Sequence, residues 1–191
     1  MTRLMYNGLW RSEQGFTLPE LIIVIVLMGI VLAIASSSWF EAVESRRVTS
    51  ATNQVVADMR LAHTSATNRL GTAKIIFSNQ GNTITCNGVS ANYCLVVPVV
   101  GGTQSKPRTL PSNTVVSSPN LLPDVAGGTT STILFASDGS ATTVGSLGVV
   151  SSASCPAGTP SGTARIRVAS DDGNPAHCIT FNTTTSRIRV D

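Results

Sequence analysis

The chain has 191 residues and a formal net charge of +3, and 12% of its residues are charged and 5% aromatic. This length provides one hydrophobic core of ordinary size and argues against a second domain. The small positive net charge does not indicate a particular class of binding partner. The low content of charged residues and the many Ser, Thr, Gly and Val residues favour a small antiparallel sheet with long loops.

The N-terminal region combines a short polar leader with a long apolar segment. Residues 15–20 read Gly-Phe-Thr-Leu-Pro-Glu and precede the uncharged stretch 21–40. A helix rises 1.5 Å per residue, so about twenty residues cross a bilayer core of roughly 30 Å. The stretch is therefore long enough to span a membrane. A secretory signal peptide has its cleavage site after the apolar segment, whereas here the glycine-ended leader comes before it.

Residues 15–20 resemble the class III signal of type IV pilins and type II secretion pseudopilins. The resemblance implies that prepilin peptidase cleaves between Gly15 and Phe16 and methylates the new N-terminal residue. It also implies that Glu20 pairs with the free amine of a neighbouring subunit during fibre assembly. An unpaired carboxylate at the bilayer centre is unfavourable by about 2.5 to 3.5 kcal/mol, which agrees with a paired role. Pro19 replaces a frequent aliphatic residue, but proline is tolerated in the first turn of a helix. The alternative is a plain signal anchor with an isolated acid.

The charges on the two flanks of the apolar segment predict its orientation. The leader contains two arginines and one glutamate, whereas the other flank begins with Glu41 and Glu44. The positive-inside rule therefore favours a cytoplasmic N-terminus. We expect a single-pass protein of the bacterial inner membrane with its head outside the cytoplasm. Its expected parts are a leader at 1–15, a membrane and assembly half of the helix at 16–40, an amphipathic half at 41–71 and a β-rich head at 72–191.

Apolar residues recur at spacings of three and four after the membrane segment, which predicts an amphipathic helix that ends at Gly71. The stripe consists of Val48, Ala51, Val55, Met59, Ala62, Ala66 and Leu70. One helix from about residue 18 to residue 70 would be apolar all round in its first half and bury this stripe in its second half. The expected fold is therefore α+β and type IV pilin-like, with the long N-terminal helix packed on an antiparallel sheet.

Short runs of β-forming residues follow the helix and predict nine strands. Asn79-Gln80-Gly81-Asn82 predicts the turn of a first hairpin, and Asp138-Gly139 predicts another turn. Pro98 predicts an edge or a bulge, and 101–128 is expected to be a long surface loop around one strand. The predicted strands are 73–77, 83–86, 94–100, 114–117, 132–135, 147–151, 165–169, 177–182 and 187–190.

Two short motifs in the predicted head make the resemblance more specific, because they are similar to those of the GspH/FimT family of minor pilins and pseudopilins. Members share a phenylalanine followed shortly by Asp-Gly, which matches Phe135 and residues 138–139, and a final strand of the Gly-Arg-x-Arg type, which matches 186–189. The helix from 41 to 70 is also similar to the family's helix. Ser186 stands in place of the usual glycine, so the geometry of the last turn is left open.

Four cysteines in an exported domain indicate disulfides. Three connectivities are possible, and the spacing favours Cys86 with Cys94 and Cys155 with Cys178. A zinc site that uses His177 with Cys155 and Cys178 is an alternative, although no C-x-x-C spacing supports it.

Arginines alternate with aliphatic residues in two strands near the C-terminus. Arg165 and Arg167 would project from one face of their strand, and Arg187 and Arg189 from one face of theirs. If both strands share a sheet, four guanidinium groups form a patch that binds phosphates without reading base sequence. Some family members in competent bacteria are thought to bind DNA through the last strand. Lys106 and Arg108 could extend the patch. The alternative is a solvated face whose arginines pair with Asp171, Asp172 or Asp191.

Residues 171–174, Asp-Asp-Gly-Asn, have the oxygen-rich look of a calcium loop but lack the full ligand spacing, so a solvated turn is the simpler interpretation. No catalytic constellation is recognisable, and we expect neither an enzyme nor a cofactor. The expected partners are other pilins or pseudopilins, prepilin peptidase, the inner membrane and double-stranded DNA. Three functions stay open: a structural minor pilin, a minor pilin that captures DNA for uptake, and a GspH-like pseudopilin of a type II secretion system.

Overall fold

The computed structural model describes residues 16–78, 83–117, 130–144, 163–183 and 185–191. It divides into two compact units, Met1–Glu41 and Ala42–Asp191. One helix and eleven strands are found in the described ranges, and the strands are antiparallel throughout. A long N-terminal helix followed by antiparallel sheets is the α+β, pilin-like arrangement that the sequence predicts.

Helix α1 spans Leu18–Asn68. Its first turn forms because the Leu21 amide donates to the Thr17 carbonyl at 3.2 Å, and Pro19 lies where an amide would have no partner. Large apolar side chains of the first unit are exposed on every side of the helix, as Ile22, Val26 and Leu32 illustrate. This segment is long and apolar enough to cross a membrane.

In the second unit, α1 buries one stripe. Val48, Val55 and Met59 are completely buried, and so are the alanines of the predicted stripe. Leu70 was expected to belong to the stripe, but this is wrong because the residue is 83% exposed. The chain leaves the helix there: Leu70 has a left-handed φ of 48°, and the Gly71 amide returns to the Ala66 carbonyl at 3.1 Å.

The strands form two sheets and a separate hairpin. A five-stranded sheet has the order β5-β4-β1-β7-β8, a four-stranded sheet has the order β11-β10-β9-β6, and β2 pairs with β3. The bounds are β1 Ala73–Ser78, β2 Ile84–Cys86, β3 Val89–Ala91, β4 Tyr93–Val99, β5 Gly102–Arg108, β6 Thr114–Ser117, β7 Thr130–Phe135, β8 Ala141–Thr143, β9 Thr163–Ser170, β10 Ala176–Asn182 and β11 Ile188–Val190.

The main core lies where the helix stripe meets one face of each sheet. Aromatic rings connect the sheets across this core: Phe135 of β7 and Phe181 of β10 have ring centroids 5.6 Å apart. A second, smaller cluster forms on the opposite face of the five-stranded sheet, where the β2–β3 hairpin covers Val96 and Ile76. The five-stranded sheet is thus covered on both faces.

Eight of the nine predicted strands are found, and the ninth, 147–151, lies outside the described residues. The sequence missed β3, β5 and β8, because β3 and β8 have three residues each and β5 is polar with a proline. The expectation of a long loop over 101–128 is therefore wrong for β5. Pro98 lies in an interior strand, but it is beyond the last pair with β1, Lys74 with Val96, so its environment is locally an edge.

Both predicted turns concern hairpins. The turn at 79–82 lies outside the described residues, and the hairpin expected there is wrong because β1 pairs with β4 and β7 while β2 pairs with β3. The turn at 138–139 is confirmed. It joins β7 to β8, with Gly139 at φ 82° and the Ser140 amide donating to Asp138 Oδ1 at 2.8 Å. Hydrogen bonds from Ser140 lower the pKa of the Asp138 carboxyl.

Candidate functional site

The described part of the chain begins at Phe16, which is 80% exposed. Gly15 lies outside the described residues. Glu20 is in the first turn of α1, where a carboxylate is favoured by the partial positive charge of the helix N-terminus. Its side chain is exposed and is followed by the exposed apolar residues of the helix. A carboxylate at the head of an apolar segment is available to an external cation.

The predicted arginine strands share one sheet. In the four-stranded sheet, Arg165 of β9 and Arg189 of β11 both lie opposite Thr180 of the central strand β10. Arg167 lies opposite Cys178, and Arg187 immediately precedes β11. Because opposite residues in an antiparallel ladder share a face, the arginines point to the side away from the main core.

Only part of this row reaches solvent. Arg165 is 4% exposed, so the expectation that it presents its guanidinium to an outside phosphate is wrong. Arg167 is half-buried, and its Nη2 donates to the Gly173 carbonyl at 2.5 Å. That bond supports the turn between β9 and β10. Arg187 and Arg189 are exposed and remain the accessible pair.

Lys106 and Arg108 do not extend the patch, because both belong to β5 in the other sheet. Arg108 points to the helix: its Nη2 lies 2.8 Å from Asp58 Oδ1. Tyr93 donates its hydroxyl to Oδ2 of the same carboxylate at 2.7 Å. Burial, the hydrogen bond to Asp58 and the negative charge of Asp58 together raise the pKa of Tyr93 far above its usual value. Asp58, Tyr93 and Arg108 therefore form a structural network between the helix, β4 and β5, which the sequence did not reveal.

The two accessible arginines have different surroundings. Arg189 Nε lies 2.9 Å from Asp191 Oδ1, and its side chain is 82% exposed. The Thr180 hydroxyl donates to the other carboxylate oxygen of Asp191 at 2.8 Å. Within the described part of the chain, Arg187 has no acidic partner. The alternative that the strand arginines pair with acids thus holds for Arg189 and not for Arg187.

The turn before β11 is held by a contact with the Gly139 carbonyl, an acceptor that it shares with the helix. Ser186 adopts a left-handed φ of 53°, a conformation that glycine adopts more readily than other residues. Its hydroxyl donates to the Gly139 carbonyl at 2.7 Å, and His63 Nε2 contacts the same oxygen at 3.2 Å. The serine compensates for its strained conformation with a hydrogen bond, and the contact connects this turn to the β7–β8 turn and the helix.

The bridge between Cys86 and Cys94 is confirmed, with Cα atoms 5.6 Å apart. It attaches the β2–β3 hairpin to β4. Cys178 is buried, but Cys155 lies outside the described residues, so the second bridge stays a prediction.

The metal-site alternatives have no ligand cluster among the side chains that the structure describes. His177, considered for zinc, lies with Nε2 3.4 Å from the Thr49 hydroxyl of the helix. In the segment considered for calcium, the Gly173 carbonyl is taken by Arg167, and the exposed Asp171 and Asp172 form no ion pair in the described structure.

Comparison with known families finds one match, the prokaryotic N-terminal methylation motif, over residues 10–36. No curated protein matches the chain. No solved structure matches it. The matched segment contains the predicted cleavage site and Glu20. The chain therefore carries the signal of type IV pilin-like proteins, which are processed by prepilin peptidase and assemble with other pilins in pili or secretion systems.

Proposed function

We propose that this chain is a non-enzymatic minor pilin of the GspH/FimT type. It joins a type IV pilus through α1 and binds extracellular duplex DNA, without sequence preference, through Arg187 and Arg189. The methylation motif over residues 10–36 carries the proposal. Before assembly the mature chain is a single-pass protein of the inner membrane with its head outside the cytoplasm. The Asp138-Gly139 turn and the arginine-bearing edge strand support the family assignment.

Assembly in this proposal depends on Glu20. Its carboxylate lies at the start of an exposed apolar segment and has no cation near it in the described structure. An unpaired carboxylate is unfavourable by about 2.5 to 3.5 kcal/mol at the bilayer centre, which is an upper limit for Glu20 at the start of the apolar segment. The amine of a neighbouring subunit's Phe16 removes that penalty, so the pair selects the correct register between helices.

The assembly test compares Glu20→Gln with Glu41→Gln. Glu41 is an exposed glutamate on the same helix beyond the apolar segment, so its variant removes the same charge. Both variants should be cleaved normally, and only Glu20→Gln should be depleted from sheared pili, as measured by immunoblotting. Equal incorporation of Glu20→Gln and the unmodified chain would show that Glu20 does not select register.

DNA binding is proposed for the two arginines that the sheet leaves accessible. Guanidinium groups form charge-assisted bonds to phosphates. Two exposed arginines, one immediately before a short edge strand and one within it, can follow a DNA backbone without reading bases. Arg165, Arg167, Lys106 and Arg108 are left out because they are buried, bound to the β9–β10 turn or placed in the other sheet.

The DNA test uses the full-length chain in a non-ionic detergent and a mixed-sequence duplex across a salt series. Replacing Arg187 and Arg189 by Ala should weaken binding and flatten its salt dependence. Replacing Arg60 of α1 and Arg69, which follows the end of α1, removes the same charge and should have a smaller effect, because both arginines are exposed but distant in sequence from β11. Absence of binding at low salt would contradict the DNA proposal and leave a structural subunit of a pilus or a secretion pseudopilus.

A further inference from the structure

Asp191 is held firmly next to the arginine strand. Its amide donates to the Cys178 carbonyl at 2.8 Å and its carbonyl accepts from the Cys178 amide at 3.3 Å, so its backbone continues the ladder with β10. Its side chain is only 26% exposed, and each carboxylate oxygen has a partner, one in Arg189 and one in Thr180. The carboxylate is therefore fixed, whereas the exposed guanidinium of Arg189 can swing away from it.

This arrangement places a fixed negative charge beside one of the two proposed phosphate ligands. A phosphate that approaches Arg189 must replace the Asp191 carboxylate and then remain close to it. Arg187 has no such competitor in the described structure. The two arginines are thus unequal, although the sequence alternation makes them look equivalent.

We propose that Asp191 is a specificity-determining residue, an internal competitor that neutralises Arg189 in the free protein and leaves Arg187 as the first phosphate ligand. Arg189 then contacts phosphate only by displacing Asp191, which the closely spaced phosphates of a DNA backbone favour more than an isolated anion does. This inference rests on the proposed DNA-binding function and concerns how the same site is regulated.

The expected size of the effect follows from the exposure of the pair. Exposed ion pairs are weak, so removing the carboxylate should tighten DNA binding by about two- to fivefold at low salt. It should also change the salt dependence. The plot of log affinity against log salt should steepen by up to about 0.9, the contribution of one phosphate contact. In the unmodified chain the displaced Asp191 carboxylate takes up a cation, which offsets the one that the phosphate releases.

The experiment measures binding of a mixed-sequence DNA duplex to the full-length chain in non-ionic detergent by fluorescence anisotropy, from low to moderate salt. Asp191→Asn keeps the size of the side chain and its capacity to accept from Thr180. Asp172→Asn is the matched control, because it removes the same charge from an exposed turn where the acid forms no ion pair in the described structure. The Asp191→Asn change is repeated in an Arg189→Ala background.

We expect Asp191→Asn to bind DNA more tightly and with a steeper salt dependence. Neither change should occur for Asp172→Asn, or for Asp191→Asn in the Arg189→Ala background. Equal changes in DNA affinity for both Asn variants would show that the effect comes from net charge alone, and this would overturn the inference. Unchanged binding by Asp191→Asn, with the unmodified chain binding DNA, would overturn the inference while the proposed function stands. Failure of every variant to bind DNA would overturn the proposed function itself.

Discussion

The buried hydroxyl of Tyr93 offers a quantitative test of the contact between helix and sheet. Tyr93 is fully buried and donates to Asp58, whose other oxygen is held by Arg108. Tyr93→Phe removes the donor and leaves no hydroxyl unsatisfied, and Asp58 keeps its arginine. A hydrogen bond to a charged acceptor contributes about 1.5 to 3 kcal/mol, so the free energy of unfolding should fall by about 2 kcal/mol.

The same variant predicts a specific pH dependence. In the unfolded chain a tyrosine ionises near pH 10, whereas the raised pKa keeps Tyr93 protonated in the folded chain. A pKa that is raised on folding gives stability that is present below the unfolded value and lost as pH rises above it. The free energy of unfolding of the unmodified chain should therefore fall by about 1.4 kcal/mol per pH unit above about pH 10, and that of the Phe variant should not show this loss. The difference in free energy of unfolding between the unmodified chain and the Phe variant is then constant below pH 9 and becomes smaller above pH 10.

The assay is urea unfolding of the full-length chain in non-ionic detergent, followed by circular dichroism, at several pH values from 7 to 11. Asp58→Leu serves as a comparison, because it leaves both Tyr93 and Arg108 without their acceptor. Breaking a buried pair costs about 3 to 5 kcal/mol, and the lower end applies here since the Arg108 side chain is 32% exposed. A Tyr93→Phe variant as stable as the unmodified chain at pH 7, or a difference that does not change with pH, would refute the reasoning.

Three further changes have clear expected outcomes. Gly15→Ala should leave the leader uncut, and mass spectrometry of the membrane fraction would detect the intact N-terminus; normal maturation would disprove the cleavage site. Replacing Cys86 and Cys94 by Ser should lower the free energy of unfolding by about 2.5 kcal/mol on the chain-entropy model for a separation of eight residues. Gly71→Ala should lower the melting temperature, because an added Cβ would lie 2.8 Å from Pro98 Cβ and overpacking costs about 1 to 3 kcal/mol.

The periodicity of apolar residues correctly predicts elements whose buried face repeats regularly along the sequence. The buried stripe from Val48 to Ala66 follows from apolar spacing alone, since burying one face is what fixes a helix against a sheet. The bridge between Cys86 and Cys94 was predicted from the short spacing of these two cysteines. The strand β5 could not be found in this way, because its polar residues carry no alternation and its pairing with β4 depends on the β4–β5 turn.

Alternation assigns residues to a face, but it does not say what lies on that face. Arg165 and Arg189 flank the same threonine in neighbouring strands, yet one is 4% exposed as a residue and the other has an 82% exposed side chain. The local sequences are nearly the same, Arg-Ile-Arg-Val in both strands. The two arginines also differ in position, since β9 is interior and β11 is an edge strand among the described strands.

Strand order is set by pairings distant in sequence, and it decides which arginine can meet a ligand. The same argument applies to Arg108, which pairs with a helix residue fifty positions earlier. A basic residue in a loop-like polar segment predicts a surface charge, but the register of β5 on β4 places its guanidinium against Asp58. The surface available to the proposed DNA-binding function is therefore smaller than the arginine content of the sequence indicates, and it is limited to Arg187 and Arg189 at the edge of the sheet.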